Sequence, residues 1–159
     1  MIKNTRQNKN QRGFTMVEVI TVLLIIALLA VVAIVRLSGT SSYDLATQTE
    51  VIKAHLRLAQ AYAMKLNSLW GINFDSSTTY YLFQGSGSTM PVRIPGENEI
   101  TVSMTTKKST LTITSAPQRM TFNSYGSPVD DSGNLMTSNI TIVTNGGNIT
   151  VTKNTGFIP

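Results

Sequence analysis

Apolar positions are distributed unevenly along the chain, and their spacing divides it into three stretches. In the first, residues 14–37 are almost continuously apolar, and the polar exceptions up to Val35 are Thr15, Glu18 and Thr21. A helix of about 22 residues rises roughly 33 Å, which is enough to cross a bilayer core of roughly 30 Å. The pattern therefore predicts a transmembrane helix over 14–37.

From about residue 41 the apolar residues follow a helical stripe instead. Successive members lie three, four or seven residues apart, as expected for one face of an amphipathic helix. We predict that the long helix continues over 41–70 and covers a sheet with its apolar side. His55 flanks the stripe as the single histidine of the chain, and a packing role is predicted for it. The stripe consists of Leu45, Ile52, Leu56, Ala59, Ala63, Leu66 and Trp70.

After Trp70 the apolar period changes to two, and turn residues separate short runs. A hairpin is predicted around Ser76 and Ser77, and Asn145-Gly146-Gly147 is expected to join the last two strands. Helix followed by strands is typical of an α+β fold in which antiparallel sheet packs on the helix. The predicted strands of this β-rich region, 71–159, are 71–75, 79–83, 92–94, 100–105, 110–114, 119–122, 140–144 and 149–153.

The net charge of the chain has a different interpretation when residues 1–13 are considered separately from the rest. Thirteen Lys and Arg against eight Asp and Glu give a formal charge of +5, which favours an acidic partner such as nucleic acid. Four of the thirteen lie within 1–13, which contains no acidic residue, so the rest of the chain carries nine against eight and is almost neutral at +1. Positive charge before an apolar helix keeps the N-terminus cytoplasmic. The four are Lys3, Arg6, Lys9 and Arg12.

The junction between the basic segment and the apolar helix carries the most specific pattern. It reads Arg12-Gly13-Phe14-Thr15-Met16-Val17-Glu18. A basic leader, a Gly-Phe pair, a Glu five residues after the Gly and then an apolar helix together resemble the signal of type IV prepilins and pseudopilins. The resemblance implies that 1–13 is a leader peptide, that prepilin peptidase cuts after Gly13, and that Phe14 becomes an N-methylated N-terminus.

Two of these positions also have a physical rationale. Gly13 has no side chain, so it fits a narrow protease subsite in an extended conformation. Glu18 places a carboxylate near one end of an apolar helix, where an unpaired charge is costly. Cleavage creates an amine at Phe14 that is a suitable partner, in the same chain or in a neighbouring subunit, so we predict an assembly role for Glu18. The alternative is a charge that only complements the positive end of the helix dipole.

The C-terminal part resembles a narrower group. The segment 120–128, the two closing strands and Thr155-Gly156-Phe157-Ile158 are similar to GspH/FimT-type minor pseudopilins, as is the helical stretch 56–61. This resemblance implies a structural subunit of a type II secretion pseudopilus or a type IV pilus. Its expected partners are prepilin peptidase, other pilin or pseudopilin subunits through the N-terminal helix, and the bacterial inner membrane. The globular pilin-like domain, 41–159, is expected in the periplasm.

The sequence argues against an enzymatic function and against a metal site. The chain has no cysteine, one histidine and no phosphate-binding glycine loop, so we predict that it is not an enzyme and has no cofactor or metal. The sequence 130–134, Asp-Asp-Ser-Gly-Asn, offers oxygen ligands for calcium, but the same residues are common in plain turns.

DNA binding during uptake, known for some FimT-like minor pilins, is the alternative function. Against it stand the almost neutral charge after residue 13 and the missing alternation of aromatic and basic residues. The residues considered for a basic patch are Arg93, Lys107, Lys108, Arg119 and Lys153.

Overall fold

The computed structural model describes residues 14–37, 40–85, 90–107 and 109–159, apart from the side chains of 33–37 and 40–43. Within these residues two helices precede nine strands. The helices are α1 (Met16–Leu37) and α2 (Thr40–Leu66). The strands are β1 (Trp70–Phe74), β2 (Thr79–Gln84), β3 (Met90–Val92), β4 (Thr101–Ser103), β5 (Ile113–Ser115), β6 (Arg119–Phe122), β7 (Pro128–Val129), β8 (Ile140–Thr144) and β9 (Gly147–Val151). The chain divides into two compact units, one ending at Thr40 and the other covering Ser41–Pro159.

The strands form two antiparallel sheets. The larger has the order β3-β2-β1-β6-β7, with β4 also paired to β2, and the smaller has the order β5-β8-β9. In the larger sheet Ile72 lies between Leu82 and Met120, and in the smaller Ile142 lies opposite Ile149. All five side chains are buried, so the apolar faces set the register. The predicted α+β fold with antiparallel sheet is confirmed.

Helix α2 packs on the sheets through most of the predicted stripe. Ile52, Leu56, Ala59 and Ala63 are buried in the same core as the inward-facing residues of both sheets. Leu66 is the exception, because its side chain is 51% exposed. The stripe therefore identifies the face of α2 correctly but extends too far towards its C-terminus.

The early end of α2 has a local cause. Asn67 has a positive φ of 48°, and the N–H of Ser68 donates to the carbonyl of Ala63 at 3.3 Å. This left-handed residue followed by a backward hydrogen bond is a common helix terminator. Trp70, predicted as the last residue of the helical stripe, therefore lies in β1 and packs edge-on against Tyr62 of α2, with 5.0 Å between ring centroids.

Several strand predictions need correction. β3 covers Met90–Val92 instead of 92–94, and β4 covers Thr101–Ser103 instead of 100–105. β7 was missed because a two-residue strand that begins with a proline has no alternating pattern; it pairs with the last two residues of β6. β5 begins at Ile113 rather than at residue 110. β9 begins at Gly147, which pairs with Thr144, so the closing turn has two residues instead of the predicted three.

Two polar side chains of α2 hold the C-terminal tail. Gln60 Nε2 donates to the carbonyls of Gly126 and Gly156 at 2.8 and 3.1 Å. The Arg57 guanidinium donates to the carbonyl of Ile158 at 3.0 Å. Because the Ile158 side chain is only 4% exposed, the tail is part of the core and not a loose end.

A transmembrane helix was predicted over 14–37. In the part of the chain that the structure describes, no helix combines the length and the apolar character needed to cross a membrane. The single-pass topology predicted from the sequence is therefore not supported.

Candidate processing and assembly site

The start of α1 is defined by the side chain of Thr15. Its Oγ1 accepts a hydrogen bond from the N–H of Glu18 at 3.3 Å, and its carbonyl accepts one from the N–H of Val19 at 3.2 Å. Thr15 is thus the N-cap residue, and α1 begins at Met16. Phe14 precedes the cap, lies outside the helix and has 82% of its surface exposed. The spacing Thr-x-x-Glu is a sequence signal for this cap. Interpreting Glu18 only as a charged residue did not make use of that signal.

The structure describes two of the three predicted site residues. Gly13, the predicted cleavage residue, lies outside the described residues. Glu18 is the acidic residue in the first turn of α1, where the positive end of the helix dipole favours a carboxylate. Phe14 and Glu18 line the same surface groove, which has a volume of about 270 Å³. The other lining residues are Val19, Val22 and Leu23.

This groove is part of a larger apolar surface. All described side chains of α1, from Met16 to Val32, are exposed, and Glu18 is the only charged residue in that range. Leu29, for example, is 63% exposed. Helices that are apolar on every side are normally covered by other protein or by lipid. The arrangement is therefore suited to association, with one carboxylate placed at the start of an apolar helix.

The basic residues considered for DNA binding are mostly engaged within the domain. Lys107 pairs with the carboxylate of Glu97. Arg119 lies 3.6 Å from Asp131 Oδ1, and Lys153 donates to a backbone carbonyl at 3.1 Å. Two of these cations, Lys107 and Arg119, are therefore partly neutralised by carboxylates, and Lys153 is engaged by a carbonyl. The other two are Arg93, which is exposed, and Lys108, which lies outside the described residues.

The segment 130–134, considered for calcium, forms a turn. Asp130 Oδ1 accepts hydrogen bonds from the N–H groups of Ser132 and Asn134 at 2.9 and 2.8 Å. These bonds, above all the one from Asn134, lower the pKa of Asp130. Asp131 pairs with Arg119. Among the described residues no group of three or more His, Asp or Glu side chains is arranged to hold a metal ion.

A polar cluster around His55 was not foreseen. His55 Nδ1 lies 2.9 Å from the Tyr80 hydroxyl, and Nε2 lies 3.9 Å from a carboxylate oxygen of Glu97, which also pairs with Lys107. Burial lowers the pKa of His55 although Glu97 opposes the shift, and burial raises the pKa of Tyr80. The cluster joins α2, β2 and the segment around β4. Consecutive members are between 10 and 25 residues apart in sequence, so no local pattern indicates the cluster.

Comparison with known proteins identifies the class of the N-terminal segment. The family described as the prokaryotic N-terminal methylation motif matches residues 8–34. No curated protein and no solved structure gives a significant match. The motif indicates a type IV pilin-like protein, that is, a subunit of a pilus or pseudopilus. Proteins of this class are structural, and the motif implies processing by prepilin peptidase and membrane-associated assembly with other pilin subunits.

This match supports the prediction of a type IV pilin-like chain, and the support comes from the N-terminal segment. The matched residues include all three predicted site residues, Gly13, Phe14 and Glu18. They end before α2 and the sheets, where the resemblance to GspH/FimT-type minor pseudopilins lies. That narrower resemblance stays a prediction.

Proposed function

We propose that the chain is a minor pilin or minor pseudopilin, a structural subunit of a type IV pilus or of a type II secretion pseudopilus. Prepilin peptidase removes 1–13 by cutting after Gly13 and N-methylates Phe14. Helix α1 then packs among the equivalent helices of other subunits, and the globular domain, 41–159, is displayed in the periplasm. The observation that carries the proposal is an apolar helix whose described side chains are all exposed and which begins inside a methylation motif.

The energetics favour such assembly. Each Leu, Ile or Val side chain of α1 that a neighbour removes from water contributes roughly 1.5–3 kcal/mol. Covering six of them contributes roughly 9–18 kcal/mol, which is comparable with the about 4–15 kcal/mol of freedom lost on association. A helix that is apolar on all sides can make such contacts with several neighbours at once.

Glu18 supplies the specificity that apolar contacts lack. A carboxylate surrounded by packed helices is costly unless it is paired, and the amine that cleavage creates at Phe14 of a neighbouring subunit is a suitable partner. Support comes from the groove, since Phe14 and Glu18 line it together. Pairing between subunits at this point sets the axial register of one helix against the next.

The cleavage proposal is tested by the variant Gly13→Leu. A side chain at this position blocks the narrow subsite, so the membrane-purified protein should keep its leader, as measured by intact mass. Gln11→Leu adds the same side chain two residues away and should be processed normally. Recovery of a chain that begins at Phe14 from Gly13→Leu would contradict the proposal.

The assembly proposal is tested by Glu18→Ala. This variant should be processed and accumulate, yet its recovery in sheared filaments, relative to its level in the membrane fraction, should fall several-fold. Glu18→Asp should be intermediate because the shorter side chain reaches less far. Glu50→Ala removes an exposed acid from α2 instead and should leave recovery unchanged. Wild-type recovery of Glu18→Ala would show that the carboxylate is only a helix-end charge.

A further inference from the structure

We propose that an apolar patch at the C-terminal end of α2, formed by Met64, Tyr125 and Phe157, is a contact surface for a neighbouring pilin-like subunit in the assembled filament. This inference rests on the proposed function, because it presupposes that α1 brings subunits together. It adds a second interface, on the globular domain, to the one that α1 supplies.

Three exposed apolar side chains meet at this place in the domain. Tyr125 is 86% exposed, Phe157 62% and Met64 50%. The two aromatic residues are chain neighbours of Gly126 and Gly156, whose backbones touch, because a Cβ on Gly156 would overlap the carbonyl of Gly126. A Cβ on Gly126 would lie 2.9 Å from the sulfur of Met64. Single exposed apolar residues are normal on a protein surface, whereas a contiguous group indicates an interaction site.

The backbone beneath the two aromatic residues is held in place by hydrogen bonds. Gln60 Nε2 donates to the carbonyl of Gly126 at 2.8 Å and to the carbonyl of Gly156 at 3.1 Å. The Ser127 hydroxyl donates to the carbonyl of Asn154 at 2.6 Å, which ties the two segments to each other directly. Because these segments are already ordered, little backbone freedom is lost when a partner covers the patch.

The charge around the patch favours a protein partner over a lipid surface. The segments 123–127 and 154–158 contain no charged residue, and Lys65 is the charged neighbour of Met64 in the sequence. Anionic lipid surfaces attract clusters of about four to eight Lys or Arg. Aromatic residues and methionine with few charges among them are instead typical of the centre of a protein interface. Since the methylation motif implies assembly with other pilin subunits, such subunits are the neighbours that the patch meets.

The size of the patch fits a contact that supplements another interface. With roughly 200 Å² of surface for each residue, the exposed fractions leave about 400 Å² to be covered. A stable pair of free proteins buries about 800 Å² on each partner. The patch is therefore too small to form a dimer by itself. Anchoring through α1 raises the effective concentration of the subunits, so a small contact is sufficient between neighbours in one filament.

The test places a photo-cross-linking residue, p-benzoylphenylalanine, at Tyr125 or at Phe157 of the full-length chain in cells that assemble filaments. Both positions are exposed and already aromatic, so a ring replaces a ring. After irradiation, sheared filaments should contain a product whose second chain has its own N-methylated N-terminus, as mass spectrometry of its peptides shows. The matched control is Ile100, which is 50% exposed and should give no product. It precedes β4, and β2 and β1 separate that strand from β6.

A second measurement asks whether the contact supports assembly. Tyr125→Ser combined with Phe157→Ser should lower recovery in sheared filaments about fivefold or more, the fold-change expected when interface residues that carry binding energy are lost. The midpoint of urea unfolding should stay the same, because neither ring belongs to the buried core. Ile100→Ser should change neither quantity.

Each result decides between the inference and the function beneath it. A cross-link to lipid or to a protein outside the pilin class would overturn the role of the patch and leave the proposed function standing. The same conclusion would follow from an equal product at Ile100, from no product in filaments that contain the probe, or from wild-type recovery of the double serine variant. Absence of the wild-type chain from the filament fraction would overturn the proposed function and this inference together.

Discussion

Helices α1 and α2 follow each other in the chain, but their apolar residues have opposite surroundings. α2 gathers its apolar residues on one side, where Leu56 is fully buried against the sheets. α1 is apolar on every side, and all its described side chains are exposed. The domain 41–159 therefore contains the partners that its helix needs, whereas α1 depends on other molecules for cover.

The polar side chains of the two helices differ in the same way. On α1, Thr15 and Thr21 make hydrogen bonds within their own helix. On α2, Gln60 and Arg57 bond to carbonyls of the distant C-terminal tail, and His55 bonds to Tyr80 of β2. Polar groups of α2 hold a tertiary structure together, while those of α1 only define a helix that is ready to associate.

The largest expected effect is a difference in stability between alanine variants of two leucines, one in each helix. Leu56→Ala should lower the free energy of unfolding by about 2–5 kcal/mol, because it opens a cavity in the core. Leu24→Ala, in the exposed helix, should change it by less than about 0.5 kcal/mol and should reduce filament recovery instead. Urea unfolding of the full chain in mild detergent, followed by the fluorescence of the buried Trp70, checks both variants. Equal destabilisation would mean that α1 also belongs to the folded core.

A smaller effect concerns the tail that α2 holds. Gly156 and Gly133 both have positive φ, 64° and 84°, so alanine is strained at either position. At Gly156 a Cβ would also lie within 2.6 Å of the carbonyl of Gly126 and the amide of Gln60, whereas Gly133 faces open space. Gly156→Ala should therefore cost about 1–3 kcal/mol more than Gly133→Ala in thermal unfolding. Equal costs would show that the tail can move away from α2.

The smallest effect is a pH dependence from His55. Because burial lowers its pKa, the folded chain binds a proton at His55 less readily than the unfolded chain does. Stability from this group is therefore present above the ordinary pKa of about 6.5 and is lost as the pH falls below it. His55→Gln keeps a polar partner for Tyr80 but cannot titrate, so its free energy of unfolding should depend less on pH between 7 and 5. An unchanged slope in urea titrations would assign the dependence to other groups.

The sequence by itself determined the features whose signals are local. The motif around Gly13, Phe14 and Glu18 indicated a type IV pilin-like chain because its residues lie side by side. The stripe of α2 and the alternation in most strands identified the buried faces, since helical and strand periods repeat within a few residues. The cap at Thr15 has an equally local signal in the spacing Thr-x-x-Glu.

Only the tertiary structure decided which distant residues meet. The short strand β7 exists because β6 offers it a partner, and Trp70 of β1 packs edge-on against Tyr62 of α2. The cluster of His55 and Tyr80 joins residues from a helix and a strand. Hydrogen bonds and core packing depend on distances in space, and residues far apart in the chain come within bonding range only after the sheets close on α2. No pattern along the chain carries that information.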